Sequence, residues 1–131
     1  MKKLIFLLSL FFILKTNAQT YYIYSDGNSN TYTLDGGKLV YTPVNPEESS
    51  SGTYSGGKAA KKGITKDTFK NLSKLIDKAM SDQTEHLEKR EKGTGQMVKN
   101  SKGKKKTIVF KNDSKYKEKI ETLFKDLLKQ D

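Results

Sequence analysis

The amino-acid sequence predicts an α+β fold that follows a signal peptide. The predicted fold is an antiparallel sheet of about five strands, in the order βββ-α-ββ-α, with two helices packed on one face. Two observations support this prediction. Short β-favouring runs are separated by turn residues in the first third of the chain and again near residue 100, and such hairpin connections pair strands antiparallel. Two longer segments carry apolar residues at helical spacing, so each predicts a helix with one face to bury.

The first 18 residues are typical of a cleavable secretory signal peptide. A positively charged start leads into an apolar run from Leu4 to Leu14, and small residues stand at Thr16 and Ala18. The run is shorter than the roughly 20 residues that a membrane-spanning helix needs. We therefore expect cleavage after Ala18, with cleavage after Gln19 as the alternative, and a mature protein that is secreted or periplasmic.

Residues 19–131 are expected to form one small α+β domain, in which residues 45–63 make a Ser/Gly-rich loop. No segment of this mature chain is apolar and long enough to predict a transmembrane helix. The chain contains no cysteine, although exported domains of this size often carry disulfides, so its stability must come from packing alone.

Charge is unevenly distributed along the chain. Residues 19–57 contain one basic and four acidic residues, whereas residues 58–131 contain 21 basic and 11 acidic residues. Lysine supplies every basic side chain except that of Arg90. The asymmetry indicates attraction to an anionic surface or polymer, or else lysines that only solvate the outer faces of helices and hairpins.

Three short strands joined by tight turns are predicted at the start of the domain. The runs 21–24, 31–34 and 38–44 are rich in aromatic and β-branched residues. The turns between them contain Asp26-Gly27-Asn28 and Asp35-Gly36-Gly37, residue types that tolerate positive φ. This pattern predicts an antiparallel meander.

The two helices have recognisable starts. Thr65 can cap the first, and either Asp113 or Ser114 can cap the second. Their apolar faces, together with one side of the second hairpin, predict one contiguous core formed by Phe69, Leu72, Ile76, Ile108, Phe110, Ile120, Leu123, Phe124 and Leu127.

The second hairpin carries the densest charge in the sequence. Strands are predicted at 94–99 and 107–111 with a turn at 100–103, whereas residues 82–93 are highly charged and predict at most a weak strand beginning at His86. The candidate binding residues here are Lys102, Lys104, Lys105 and Lys106. Alternation along a strand directs Lys104 and Lys106 to one side and Lys105 to the other.

The Ser/Gly-rich loop provides the other candidate binding residues. Tyr54 is its only large apolar residue, and Ser51 and Gly52 stand close to it in the sequence. Binding loops often extend from rigid scaffolds, so this loop is a candidate contact surface. The alternative is a flexible connection without a role in binding.

The residues that common catalytic and metal sites require are missing. His86 is the only histidine, and without cysteine no cluster of nitrogen and sulfur ligands can form. No G-x-S-x-G motif is present, and the adjacent Glu47 and Glu48 would point to opposite sides of an extended chain. The sequence therefore predicts no catalytic activity, no cofactor and no metal.

The leading functional hypothesis is an exported, non-catalytic binding or inhibitory module of the cell envelope or exterior, with an unknown protein or an anionic envelope component as partner. The alternative is an electrostatic binder of anionic surfaces or polymers, such as acidic polysaccharide or lipid headgroups. A small hydrolase is a third hypothesis, which the residue inventory disfavours. Nucleic acid is not expected as a partner, because the tyrosines that could stack on bases, Tyr21, Tyr22 and Tyr24, lie in the acidic third.

Overall fold

The computed structural model of the protein describes residues 19–49, 52, 53 and 55–129, so the predicted signal peptide lies outside the described residues. The described chain is an α+β fold with one antiparallel sheet of seven strands and two helices. The strands are β1 (Tyr21–Ser25), β2 (Thr31–Leu34), β3 (Lys38–Thr42), β4 (Ala60–Gly63), β5 (His86–Leu87), β6 (Gln96–Ser101) and β7 (Lys104–Phe110); the helices are α1 (Lys66–Ser81) and α2 (Lys115–Lys129). Pro46–Glu48 and Gln83–Glu85 form short 3₁₀ turns.

The strand order across the sheet is β4-β3-β2-β1-β6-β7-β5. The first meander, β1 to β3, and the second hairpin, β6 to β7, are joined by an antiparallel pairing of β1 with β6, in which Tyr24 lies opposite Met97. The central pair therefore connects residues more than 70 positions apart in the sequence.

The prediction of about five strands in the order βββ-α-ββ-α is wrong in number, because the described chain adds β4 and β5. β4 pairs with β3 along the sheet edge, and its sequence, Ala60-Lys61-Lys62-Gly63, lacks apolar alternation. Lysines are typical of edge strands, where they discourage pairing with another chain. Residues 60–63 consequently belong to the sheet and not to the loop predicted over 45–63.

The remaining strand boundaries differ modestly from the prediction. β3 ends at Thr42, before Pro43, while β7 starts three residues earlier than expected, at Lys104. β5 is only two residues long and pairs with the end of β7, His86 lying opposite Phe110. The early start of β7 brings the lysine run into the hairpin ladder.

Both helices begin where the sequence predicts. The Thr65 hydroxyl oxygen accepts a hydrogen bond from the backbone N–H of Thr68 at 3.1 Å, which is a helix N-cap. At the start of α2, the Ser114 hydroxyl oxygen accepts from the backbone N–H of Lys117 at 3.4 Å. Of the two predicted caps, the structure uses Ser114.

Both helices contact the same face of the sheet. The Phe69 ring of α1 lies 6.4 Å from that of Tyr22, and the Phe124 ring of α2 lies 6.4 Å from that of Tyr24, centroid to centroid. Tyr22 and Tyr24 are two residues apart on β1 and so point to the same side. Two of the three tyrosines considered as stacking platforms, Tyr22 and Tyr24, are therefore core residues. Tyr21 lies on the other side of β1 and is only partly buried.

The predicted core is confirmed and enlarged. Five of the nine predicted residues are buried in one cluster, and Phe69, Ile108, Leu123 and Leu127 pack against it as partly buried side chains. The first meander and β6 add a second half that the prediction left out: Tyr22, Tyr24, Tyr32, Leu34, Leu39 and Met97.

The opposite face of the sheet carries no helix in the described structure; we call it the open face. Register pairing aligns one row of side chains across it, formed by Lys61, Val40, Thr33, Ile23, Val98 and Thr107. None of these six side chains belongs to the core cluster or packs against it.

Neither helix of the described chain is both long and apolar enough to cross a membrane.

Candidate functional site: a lysine-bearing sheet

The β6–β7 hairpin presents the predicted lysines at one end of the sheet. Ser101 lies opposite Lys104, and the two residues between them, Lys102 and Gly103, have φ values of +53° and +77°. Two consecutive residues with positive φ are typical of a type I′ turn, whose twist matches that of the flanking strands. Lys102 therefore stands exposed at the hairpin tip.

The strand register divides the other three lysines between the two faces. Lys106 lies opposite Lys99, and Lys105 lies opposite Asn100. Lys99 belongs to the helix-covered side, because its ammonium contacts Asp77 of α1 and lies 5.6 Å from the Tyr22 ring centroid. Lys104 and Lys106 share that side, whereas Lys105 points to the open face. All three side chains are exposed.

The charge of Lys99 is already partly compensated by a carboxylate. Its Nζ donates to Asp77 Oδ1 at 2.8 Å, and the same oxygen accepts from the Tyr22 hydroxyl at 2.8 Å. The hydrogen bond to Asp77 raises the pKa of Lys99 above its ordinary value. Burial, reinforced by the hydrogen bond to Asp77, raises the pKa of Tyr22. Asp77 therefore reduces the positive charge on the helix-covered side of the hairpin.

A groove of about 360 Å³ lies along the hairpin, lined by Lys99, Lys102, Lys104, Lys105, Lys106 and Ser101. Except for Lys99, none of these lysines forms an ion pair with a described residue. Flexible ammonium groups of this kind act as point charges toward an anion, without geometric selectivity.

The lysine bias extends beyond the hairpin to β3 and β4, whereas β1, β2 and β5 contain no lysine. In the part of the chain that the structure describes, the seven strands contain seven lysines and no Asp or Glu. The acidic side chains stand instead in the helices, the 3₁₀ turns and the connections. The sequence alone indicates only the hairpin cluster, because β4, which contributes Lys61 and Lys62, is not predicted as a strand.

The candidate residues of the Ser/Gly-rich loop are only partly described. Ser51 and Tyr54 lie outside the described residues, so their proposed contact role stays a prediction. Gly52 is exposed, has a φ of +73°, and its N–H donates to the Ser49 carbonyl at 3.1 Å. Nearer to β3, the Tyr41 hydroxyl donates to the Gly56 carbonyl at 2.6 Å, which fastens the returning end of the loop to the sheet.

A polar cleft of about 370 Å³, which the sequence does not predict, lies between the β1–β2 turn and α2. Asp26, Asn28, Tyr41, Lys117, Glu121 and Lys125 are among its lining residues. Asp26 Oδ1 accepts from the backbone N–H groups of Asn28 and Asn30, each at 2.9 Å, so this carboxylate organises the turn. Only the helix spacing of Lys117, Glu121 and Lys125 could have indicated one wall of it.

Glu121, which lines this cleft, is hydrogen-bonded to a buried phenol. The Tyr24 hydroxyl donates to Glu121 Oε2, which also forms an ion pair of 3.2 Å with Lys117. Burial, followed by the hydrogen bond to Glu121, raises the pKa of Tyr24 well above its ordinary value. Near neutral pH the phenol is a hydrogen-bond donor and not a base, and the arrangement stabilises the contact between α2 and β1.

Metal-ligating side chains do not converge anywhere in the described residues, where no group of three or more His, Asp or Glu side chains could hold an ion. The Nε2 atom of His86 lies 2.7 Å from the Ala79 carbonyl, so the imidazole links β5 to α1.

Comparison with protein-family models, curated proteins and solved structures found no significant match for this chain.

Proposed function

We propose that the protein is a small, exported, non-catalytic binding module that attaches to an anionic component of the cell envelope or exterior. The observation that carries the proposal is the charge of the sheet, whose described strands hold seven lysines and no carboxylate. A surface of one sign attracts a partner of the other and raises its local concentration.

The accessibility of the lysines supports the proposal. Lys61, Lys104, Lys105 and Lys106 are exposed and have no ion-pair partner among the described residues. Each is therefore available to an external anion at little cost in lost internal contacts. Lys102 adds a fifth ammonium at the hairpin tip, in a left-handed conformation that Asn or Gly adopts more easily.

The polar cleft supports the non-catalytic part of the proposal. Asp26 accepts hydrogen bonds from its own turn, and Glu121 is occupied by Tyr24 and Lys117. Acid–base catalysis needs a group whose proton can be exchanged with a substrate near the working pH. The raised pKa of Tyr24 removes that phenol from such a role.

The export part of the proposal rests on the sequence of residues 1–18. Expression of the full chain in a bacterial host, followed by N-terminal sequencing of the released protein, tests it. The expected mature N-terminus is Gln19, or Thr20 if cleavage follows Gln19. A protein that stays in the cytoplasm with residues 1–18 attached would contradict export.

Binding is tested with a panel of immobilised polyanions that carry carboxylate, sulfate or phosphate groups, over a salt gradient. The wild-type protein is expected to bind at low salt and to elute before about 1 M salt, where the Debye length falls to about 3 Å. Absence of retention on every polyanion at low salt would overturn the proposal.

Two variants with the same net charge test whether polyanion binding uses the sheet surface or depends only on the net charge of the protein. One replaces Lys61, Lys104, Lys105 and Lys106 with Gln; the other replaces Lys66, Lys70, Lys74 and Lys78, the exposed lysine row of α1, with Gln. The strand variant is expected to elute at clearly lower salt than the helix variant. Equal losses would show that net charge alone governs retention and would overturn the assignment to the sheet.

A further inference from the structure

The open face differs from the helix-covered side in the charge that it presents. Its lysines are Lys38 on β3, Lys61 on β4 and Lys105 on β7, and all three are exposed. No strand residue on this face is acidic among those described, whereas Asp77 compensates Lys99 on the other side. The open face is therefore the sheet surface with the less compensated positive charge.

Between these lysines the open face is hydroxylated and apolar. Thr33, Ile23 and Val98 occupy its middle row on neighbouring strands, and Thr31 and Thr42 lie opposite each other in the next row. Tyr21 and Asn100 lie opposite each other on the side of Lys105. Such a surface matches a ligand that alternates hydroxyl groups with C–H faces and also carries negative charge.

We infer that the open face binds an extended acidic polysaccharide of the polyuronate class, in which each charged sugar carries a carboxylate. The inference rests on the proposed function and names its surface and ligand. Lys38, Lys61 and Lys105 pair with carboxylates along the chain. Threonine hydroxyls hydrogen-bond to sugar hydroxyls, and Ile23, Val98 and Tyr21 contact the C–H faces of the rings.

The spacing of the lysines favours an extended polymer over a small anion. Lys61 and Lys105 stand on strands that are five positions apart in the sheet order, which corresponds to about 24 Å along the sheet at about 4.8 Å per strand. A single phosphate or headgroup cannot reach both lysines. A chain with repeated carboxylates crosses the intervening strands and reaches both.

The twist of the sheet disfavours a planar membrane as the occupant. Neighbouring strands rotate by about 20–25° relative to one another, so β4 and β7 differ by roughly 100° in direction. A flat bilayer surface cannot contact both ends of such a face together. A polysaccharide can follow the curvature, because it rotates about its glycosidic bonds.

A second copy of this chain fits the open face less well. A sheet about 29 Å wide and five residues high buries roughly 1,000 Å² in total when two faces stack, below the roughly 1,200–2,000 Å² of stable interfaces. Stacking would also bring the lysines of two open faces together without any strand carboxylate to pair them. Charge complementarity therefore favours an anionic occupant.

The test measures binding of the purified protein to polygalacturonate by titration calorimetry and affinity electrophoresis. Lys61→Gln/Lys105→Gln removes two open-face charges, and Lys104→Gln/Lys106→Gln removes two from the helix-covered side as its matched control. The first variant is expected to bind polygalacturonate roughly tenfold more weakly, on the scale of about 1.4 kcal/mol per factor of ten. The second is expected to lose clearly less affinity, because Lys104 and Lys106 belong to the lysine-bearing hairpin but not to the open face.

A second pair of variants tests the middle of the face. Thr33→Glu places a carboxylate between the lysines, and Thr122→Glu makes the same change on the exposed side of α2. Only Thr33→Glu is expected to abolish binding. Thermal melting of each variant confirms folding; if Thr33→Glu does not fold, the lysine pairs carry the test alone.

Several outcomes overturn the inference. If Lys104→Gln/Lys106→Gln loses more affinity than Lys61→Gln/Lys105→Gln, the binding site lies on the helix-covered side. Equal binding of fully methyl-esterified polygalacturonate would remove the role of the carboxylates. Binding of anionic vesicles or single-stranded DNA without polygalacturonate would reject the ligand but keep the proposed function, whereas no polyanion binding by wild type would reject both. A dimer in sedimentation that Thr33→Glu dissociates would make the occupant a second copy.

Discussion

Tyr24 is a polar residue whose surroundings make it a core residue. Its side chain is fully buried among Tyr32, Phe110 and Phe124, and its hydroxyl donates to Glu121, which lines the polar cleft. A buried hydroxyl without a partner would cost free energy, so the carboxylate acceptor is what permits a tyrosine here. A phenylalanine would fill the same space without needing the acceptor.

The Tyr24 side chain leaves no room for a Cβ atom at Gly95. A Cβ atom at Gly95 would collide with the hydroxyl and ring of Tyr24. Gly95→Ala is expected to lower the free energy of unfolding by about 1–3 kcal/mol, the usual cost of overpacking. Tyr24→Phe/Gly95→Ala should lose less than the sum of the single variants in urea unfolding, because the nearest colliding atom is gone. Additive losses would show that the ring and not the hydroxyl causes the strain.

Asp82 at the end of α1 provides a pH-dependent contribution to stability. The Asp82 carboxylate accepts hydrogen bonds from the Thr84 hydroxyl at 2.6 Å and from the Thr84 backbone N–H. The Tyr116 hydroxyl and the Lys115 ammonium lie near the same carboxylate. The hydrogen bonds from Thr84 are the main reason that the pKa of Asp82 is lowered. The contribution is present above the unfolded pKa of about 3.9 and is lost as the pH falls through the folded value.

Asp82→Asn should therefore destabilise the protein at pH 7, and the difference from wild type should shrink as the pH falls below about 4. Urea unfolding of both proteins at pH 7 and pH 2.5 measures this difference. Asp126→Asn, an exposed change of the same charge on α2, is the control. A difference that is equal at both pH values would contradict a contribution from the ionised carboxylate.

Among single elements, α2 contacts the sheet through the aromatic side chain of Phe124. The Phe124 ring lies 5.4 Å from the Tyr32 ring and 6.4 Å from the Tyr24 ring, and the side chain is buried. Phe124→Ala should lower the free energy of unfolding by about 3–5 kcal/mol through lost burial and the cavity left behind. Thr122→Ala on the exposed side of α2 should change it by less than about 0.5 kcal/mol in the same urea titration. A Phe124→Ala protein as stable as wild type would mean that α2 does not depend on this contact.

In the β6–β7 turn, a lysine occupies a left-handed backbone conformation that other residue types adopt at lower cost. Lys102 adopts a φ of +53°, which costs a residue with a Cβ about 1 kcal/mol or more, and Asn tolerates it better. Lys102→Asn should raise the free energy of unfolding by about 0.5–1 kcal/mol in urea. Lys104→Gln, which removes the same charge from a strand position, should change stability little. If Lys102→Asn is no more stable than wild type, the turn carries no such strain.

At the scale of the whole molecule, the described residues share one core. α1 and α2 cover the same sheet face, and the buried cluster includes side chains from both helices and from strands β1, β2, β3, β6 and β7. Unfolding should therefore be a single cooperative transition. Tyrosine near-UV circular dichroism and far-UV circular dichroism should give the same midpoint in urea. Two separated midpoints would show that part of the sheet or one helix unfolds independently.

Local chemistry was enough to predict several elements. Thr65 and Ser114 cap their helices through atoms that lie within three residues, and the turns after Asp26 and Asp35 form through side chain to backbone bonds of similar range. β4 could not be predicted in this way. Its four residues have neither apolar alternation nor strong β-propensity, and backbone pairing with β3, about 20 residues away, holds it in the sheet.

In the candidate site, the amino-acid sequence alone shows where the lysines are dense, and strand alternation on β7 separates Lys105 from Lys104 and Lys106. Composition and side-chain period are properties of the local chain, so no tertiary information is needed for them. Which lysines keep their charge uncompensated depends instead on tertiary contacts. Asp77 of α1 reaches Lys99 of β6, and Lys61 enters a row with Thr107 because six strands lie side by side. Contacts between distant segments depend on how helices and strands pack, and the order of residues along the chain does not encode that packing in any local pattern.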